Sequence, residues 1–391
     1  MSASRRTILL TGLALAAGTP ATSTAATAAS RTPQGAPLPP LLRSHADLAA
    51  RGIRAPGVAP TALPIKTDGT TYQMAQSLAW LDAGHFAVGR WDGSMSVFTY
   101  NPSAVSGPTI DVAVNSPSEQ GVQMVTAVTG NLLASSNDDR SFILWRGTRG
   151  WTALRQKKIG YDPALGVATS GRTVTVAGRR ILCVGHTTGR LSLWSISDGT
   201  ATLQKTLDLR NPAPVNPWDL HDIRAIEPAA GTKVITGSED GYLCVVDVRS
   251  QKILSQTVFN PTAQRGINDL DVRGNDLLVV NCSVGPQDRN LWLFSLDPTT
   301  GQPTLKTSTN LLVDERRPQA FAFSVVWAAY PQGPCWFVST EEGALWMGTP
   351  DLKVLGYQQV TAPLGSALGW TTNPGRLALV SHDLYEFTTG V

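Results

Sequence analysis

The chain reads as all-β, a seven-bladed β-propeller closed by an N-terminal strand, and three observations predict it. First, one cassette recurs seven times: a β-type run, a small polar turn, a second run ending in a small residue, an acidic or glycine turn, and a third run. Its clearest copies are Ala87 to Phe98 and Val234 to Asp247. Second, the copies repeat at roughly 40 to 50 residues, the period of propeller blades, which bury their faces only by stacking on one another. Third, the chain stops just after its last third run, at Thr389-Gly390-Val391, so the fourth strand of that sheet must come from elsewhere.

The elements follow in order. Residues 1–30 carry Ser4-Arg5-Arg6-Thr7-Ile8-Leu9-Leu10, then a short apolar run from Thr11 to Ala17 and small residues around Thr24 to Ala29. This is the pattern of an export signal, and the run is too short to span a bilayer. The paired arginines resemble a twin-arginine signal, with a general secretory signal as the alternative, so the protein is expected to be secreted or in a bacterial cell envelope. Residues 31–61, rich in Pro, Ala and Gly, read as a linker or arm, and residues 62–391 as the propeller. Between second and third strands the turns fall at Trp91-Asp92-Gly93, Asn137 to Arg140, Thr187-Thr188-Gly189, Glu239-Asp240-Gly241, Gln287-Asp288-Arg289, Glu341-Glu342-Gly343 and His382-Asp383. Glycine supplies positive φ there, and Asp or Asn bonds its own backbone. Third strands follow each turn. Outer strands are expected near Pro108–Val114, Thr152–Ile159, Ala201–Leu209, Ile253–Phe259, Thr304–Leu312 and Val354–Val360, and Leu63–Thr67 is expected to complete the last sheet. Closure through both termini would remove exposed sheet edges.

These residues resemble the WD40 repeat family, in which a Gly-Ser-x-Asp-Gly-type turn precedes a strand ending in Trp-Asp. Leu144-Trp145-Arg146 and Leu193-Trp194-Ser195 keep the tryptophan and lose the aspartate, and the Gly-His dipeptide of that family is irregular here. The resemblance spans about Ile65 to the C-terminus. It implies that the second-to-third-strand turns and the connections into each first strand share one face around the channel mouth.

The formal charge of +3 falls to +1 when Arg5 and Arg6 leave with the signal. A nearly neutral body has no overall electrostatic footprint for nucleic acid, and no transmembrane helix is expected after signal removal. Cys183, Cys244, Cys282 and Cys335 lie in or beside apolar runs without Cys-x-x-Cys spacing, which argues for buried thiols rather than a zinc or redox motif; disulfides between blades are the alternative. Trp145, Trp194, Trp292 and Trp346 occupy equivalent third-strand positions and read as packing between blades.

The inferred mouth face collects the ionisable residues. His221, Asp222, Glu239 and His186 are the candidate catalytic set, because a histidine titrates near neutrality and a carboxylate can orient it or hold a divalent metal. For the same histidines the alternative is structural: His186 as a turn residue, and His221 as the hydrogen-bonding histidine that the resemblance implies. Trp218, at the tip of the Pro-rich loop Arg210–His221, joins Trp91, Arg265 and Arg317 as candidate ligand contacts. No hydrolase elbow, metalloprotease motif, phosphate loop or dinucleotide fingerprint occurs. The sequence therefore favours a binding module for a protein or small-molecule partner, with a lyase or hydrolase at the channel mouth as the alternative; metal and cofactor are unknown.

Overall fold

Runs of five to nine strand-forming residues, cut by Gly-, Asp- and Asn-bearing turns, form the strands of the computed structural model. It describes residues 57–61, 75–100, 109–115, 121–213, 220–260, 266–281, 289–311, 322–330, 333–340, 344–359, 367–371, 376–380 and 384–388. Strand β1 is Gly57–Thr61. The first blade comprises β2 (Ala75–Trp80), β3 (His85–Arg90), β4 (Ser94–Thr99) and β5 (Thr109–Asn115); the second, β6 (Val122–Thr129), β7 (Leu132–Asn137), β8 (Phe142–Gly147) and β9 (Leu154–Ile159). The third contains β10 (Ala168–Val176), β11 (Arg179–His186), β12 (Arg190–Ser197) and β13 (Thr200–Asp208); the fourth, β14 (Ile223–Pro228), β15 (Lys233–Ser238), β16 (Tyr242–Asp247) and β17 (Lys252–Val258). The fifth runs through β18 (Ile267–Arg273), β19 (Asp276–Asn281), β20 (Leu291–Leu296) and β21 (Pro303–Thr309). The sixth runs through β22 (Ala322–Tyr330), β23 (Gly333–Thr340), β24 (Ala344–Gly348) and β25 (Val354–Gln359); β26 (Ala367–Thr371), β27 (Arg376–Val380) and β28 (Leu384–Thr388) end the chain.

The structure has six blades, not the expected seven, and each is built from four consecutive strands. The remaining four-stranded sheet is a composite of both chain ends, in the order β1-β28-β27-β26. First strands neighbour one another in the cycle β2, β6, β10, β14, β18, β22, β26 and back to β2, so they ring the centre. The composite also lacks the bulge that the six blades share. In each of those, the register between first and second strands slips just after the first strand begins, as at Ala75/Ser77 and Ile223/Ala225, whereas β26 and β27 pair without a slip. The fold expectation is corrected at a second point: closure uses Gly57–Thr61, which pairs in register with Leu384–Thr388, and this strand lies inside the span expected to be linker. Leu63–Thr67 lies outside the described residues. Pro60 fits this strand because a sheet edge tolerates a residue without an N–H. The only helical segments among the described residues are two single 3-10 turns, Arg149–Trp151 and Pro163–Leu165. No helix there is long and apolar enough to cross a membrane.

Blade-to-blade contact is where small residues matter. A Cβ on Gly89 would lie 2.5 Å from Val122, on Gly185 2.5 Å from Ile223, and on Gly237 2.6 Å from Ile267, all closer than real Cβ contacts. In each case the glycine ends a second strand and the branched residue begins the first strand of the next blade. Where the incoming residue is alanine the outgoing one is larger: Ser136 meets Ala168, and Val280 packs in one cluster with Ala322. Size is thus matched across the seam. The third-strand tryptophans complete it, since Trp145 shares a cluster with Val97 of the preceding blade, Trp194 with Leu144, Trp292 with Val245 and Trp346 with Leu293.

Gly185→Ala should therefore destabilise the protein by about 1–3 kcal/mol through overpacking against Ile223. Adding Ile223→Ala should cost less than the two single changes together, because it removes Cγ2, the nearest of the atoms that the new Cβ would meet. Denaturant unfolding of the four proteins checks this, and strictly additive losses would overturn the seam.

Candidate functional site

The turns between second and third strands meet the connections that enter first strands. The Asp138 N–H donates to the Gly121 carbonyl at 3.0 Å, the Thr188 hydroxyl to Leu165 at 2.6 Å, and the Glu239 N–H to Asp222 at 2.8 Å. Asp and Gly shape each turn locally. In the first blade the Ser94 N–H and hydroxyl both donate to Asp92, at 2.9 and 2.5 Å, while Gly93 adopts φ 78°. Trp91, at this turn, is half-buried, with its indole beside the carboxamide of Gln76.

The candidate catalytic residues do not converge. His221 Nδ1 lies 2.7 Å from Oδ2 of Asp240, not from Glu239. Asp240 is fully buried; it also accepts the Asn211 N–H at 2.8 Å and the Ser238 hydroxyl, and its carbonyl accepts the Asn211 carboxamide at 2.9 Å. The pair ties the incoming connection of the fourth blade to its own turn. Glu239 instead holds Arg224 with Nε and Oε2 2.6 Å apart, and the Arg224 guanidinium donates to Asn268 at 2.7 Å, which in turn donates to the Ala322 carbonyl at 2.7 Å. That chain laces the fourth, fifth and sixth blades. Asp222 is buried beside it.

His186 sits apart. It is 2% exposed, with Nε2 2.7 Å from the Ser192 hydroxyl, which also accepts the Trp194 indole N–H at 2.7 Å. Nδ1 is buried without a protein partner, and the Tyr161 ring lies 5.8 Å away. Burial pushes the imidazole down to about 3, so it is neutral across the physiological range. Trp218, Arg265 and Arg317 lie outside the described residues, as does Cys282. Cys183, Cys244 and Cys335 are free and buried, and burial pushes each thiol up to about 12. Among the described residues no three His, Cys, Asp or Glu side chains are placed to hold a metal.

A charged group that sequence reasoning missed crosses the first strands of four successive blades. Arg172 Nε donates to Glu227 at 2.7 Å; Asp269 accepts the Ser324 hydroxyl at 2.5 Å and the Val325 N–H at 3.0 Å; Asp271 accepts the Trp327 N–H at 2.6 Å. Burial raises Asp269 to about 6 against those hydrogen bonds, and raises Asp271 and Glu227 as well. Burial alone would lower Arg172, but Glu227 and the two aspartates outweigh it. Arg172 nevertheless keeps 42% of its side chain accessible, so the group lines a walled but wet axis. The signal in sequence is faint: one charge in each of two first strands and an Asp-x-Asp in a third.

No family model and no curated protein matches the chain. Among solved structures, the crystal structure of the Cps50 (Swd1) β-propeller domain of Myceliophteria thermophila is similar, at TM-score 0.61 and 15% identity, over 85% of this chain and 99% of that one. At that identity the likeness shows the fold alone: this chain is a β-propeller with a WD40-like structural neighbour.

His186 makes acid stability testable. Its folded value of about 3 lies below its usual 6.5, so its contribution is present above pH 6.5 and is lost as pH falls toward 3. Asp269 acts in the opposite sense: its contribution is present below 3.8 and is lost as pH rises through about 6. His186→Gln should therefore flatten the fall in melting temperature between about pH 6.5 and 4, and Asp269→Asn should steepen it. Identical slopes in wild type and His186→Gln would show that this imidazole is not the group that titrates on unfolding.

Proposed function

We propose that the chain is an exported interaction module whose second-to-third-strand turns and incoming connections bind a protein or small-molecule partner. One observation carries this: the side chains that chemistry at this face would need are committed to structural pairs within their own blades. His221 is bound to Asp240, Glu239 to Arg224 and His186 to Ser192. A general base must reach substrate, and a neutral buried imidazole bound to a structural serine offers little of that. Loops held rigidly on a propeller scaffold are, by contrast, suited to recognition. Trp91 and Trp218 are the anchors, since indoles bury large area at low entropy cost, and Arg265 and Arg317 are the polar contacts.

With the mature chain, quantitative cross-linking in the secreted and envelope fractions should give a discrete partner whose yield falls about tenfold in Trp91→Ala/Trp218→Ala, at nearly unchanged melting temperature. A turnover found in a substrate screen and abolished by His221→Ala, with folding intact, would replace the module by the enzyme. Export rests on the first thirty residues. Fused to a reporter that folds before transport, they should direct it out of the cytoplasm, and Arg5→Lys/Arg6→Lys should retain it; export indifferent to that change would exclude the twin-arginine route.

A further inference from the structure

At the other end of the strands, the second and third blades enclose an open groove of about 670 Å³. It is lined by the first-to-second-strand hairpins, at Thr129–Asn131 and Gly178–Arg180, the end of β8 at Arg146, and the third-to-fourth-strand turn Ser195–Gly199. Its volume falls in the range of small-molecule sites. Its charge is one-sided. Arg146, Arg179 and Arg180 face a single acid, Asp198, and Asp198 forms no ion pair with them.

The wall continues along β9. Arg155 is the direct cross-strand partner of Arg146, and Lys157, two residues on, shares its face of the sheet. All these cations are exposed. Like charges placed opposite each other destabilise a strand pair, and a sheet selected only for folding would put a carboxylate or a neutral residue at one of the two positions. Among the described residues the side chains of Arg146, Arg155, Lys157 and Arg179 have no hydrogen-bonding or ion-pair partner, while Arg180 is anchored by donating to the Val128 carbonyl at 3.0 Å. Arg146 is brought in closely: a Cβ on Gly199, whose φ is 72°, would lie 2.6 Å from its Nη2. The chain thus holds several guanidiniums together over hydroxyl-bearing Ser195 and Ser197 and supplies a single carboxylate, Asp198, against them.

We infer that this groove is a binding site for a small, multiply charged oxyanion, a phosphate ester or a polycarboxylate, which supplies the missing negative charge. Guanidiniums bind such groups through paired N–H donors, and two or three arginines converging on one groove favour dianions over monoanions. The site is separate from the mouth face, so its fate does not decide the interaction reading.

The test uses the mature full-length chain and two probes, inorganic pyrophosphate and citrate, titrated by calorimetry at about 0.15 M salt, where diffuse surface attraction is screened. At least one probe should bind with one-to-one stoichiometry and raise the melting temperature, and the stronger of the two assigns the phosphoryl or the carboxylate source. Arg146→Ala/Arg179→Ala should weaken that binding about tenfold or more, and Arg146→Lys/Arg179→Lys, which keeps charge and fold, should weaken it measurably through loss of paired donors. Failure of both probes to bind at millimolar concentration, or equal binding by the alanine variant, overturns the site.

Discussion

Everything in this ring rests on how closely the first strand of one blade approaches the second strand of the blade before it. Sheets stacked radially have no connecting hydrogen-bond ladder, so the seam must be made by side-chain packing and by side chains that bond the next blade's backbone. The structure does both at one level. Gly89, Gly185 and Gly237 admit Val122, Ile223 and Ile267, and the carbonyls of the incoming residues are met by polar side chains from behind: Ser77 to Val122, Ser136 to Ala168, Thr169 and Ser170 to Ile223, Asn268 to Ala322. The shared bulge turns the start of each first strand so that its carbonyl faces the previous blade and its side chain fills the glycine gap. A bulge, a small residue and a hydroxyl are then one device repeated around the ring.

That device explains the fate of the candidate site. A buried polar group must be paired, and the second-to-third-strand turns are the places where each blade is tied to the connection that enters it. The acidic residues there are recruited first for that purpose. In the fourth blade the turn offers two carboxylates in succession, Glu239 and Asp240. Adjacent residues in extended or turn backbone point to different sides, so one reaches inward to Asn211 and His221 and the other sideways to Arg224. Which acid meets the histidine depends on this alternation and on the Ser238–Asp240 hydrogen bond, and composition alone does not distinguish the two.

The legible parts of the fold are those written in local chemistry. Recurring polar or glycine turns followed by strand-like runs placed every described third strand, and the tryptophans at their equivalent positions do pack between blades. Closure was misplaced by six residues because Gly57–Thr61 and Leu63–Thr67 look alike as short apolar segments, and only pairing with Leu384–Thr388 separates them. The axial group of Arg172, Glu227, Asp269 and Asp271 was illegible for a related reason. Apart from the Asp269-x-Asp271 pair, its members lie far apart in sequence and are assembled only when three first strands converge, so no spacing announces the group.

The two ends of the strands consequently treat charge in opposite ways. At the turn end, acids and bases are matched and buried: Asp240 with His221, Glu239 with Arg224. At the hairpin end between the second and third blades, Arg146 stands opposite Arg155 with no acid drawn in to relieve it. The first arrangement is what folding stability alone would select, since a buried charge left alone is far costlier than a paired one. The second has a cost and no internal compensation. These side chains are exposed, so solvent screens most of that cost, and the proposed oxyanion would offset the remainder.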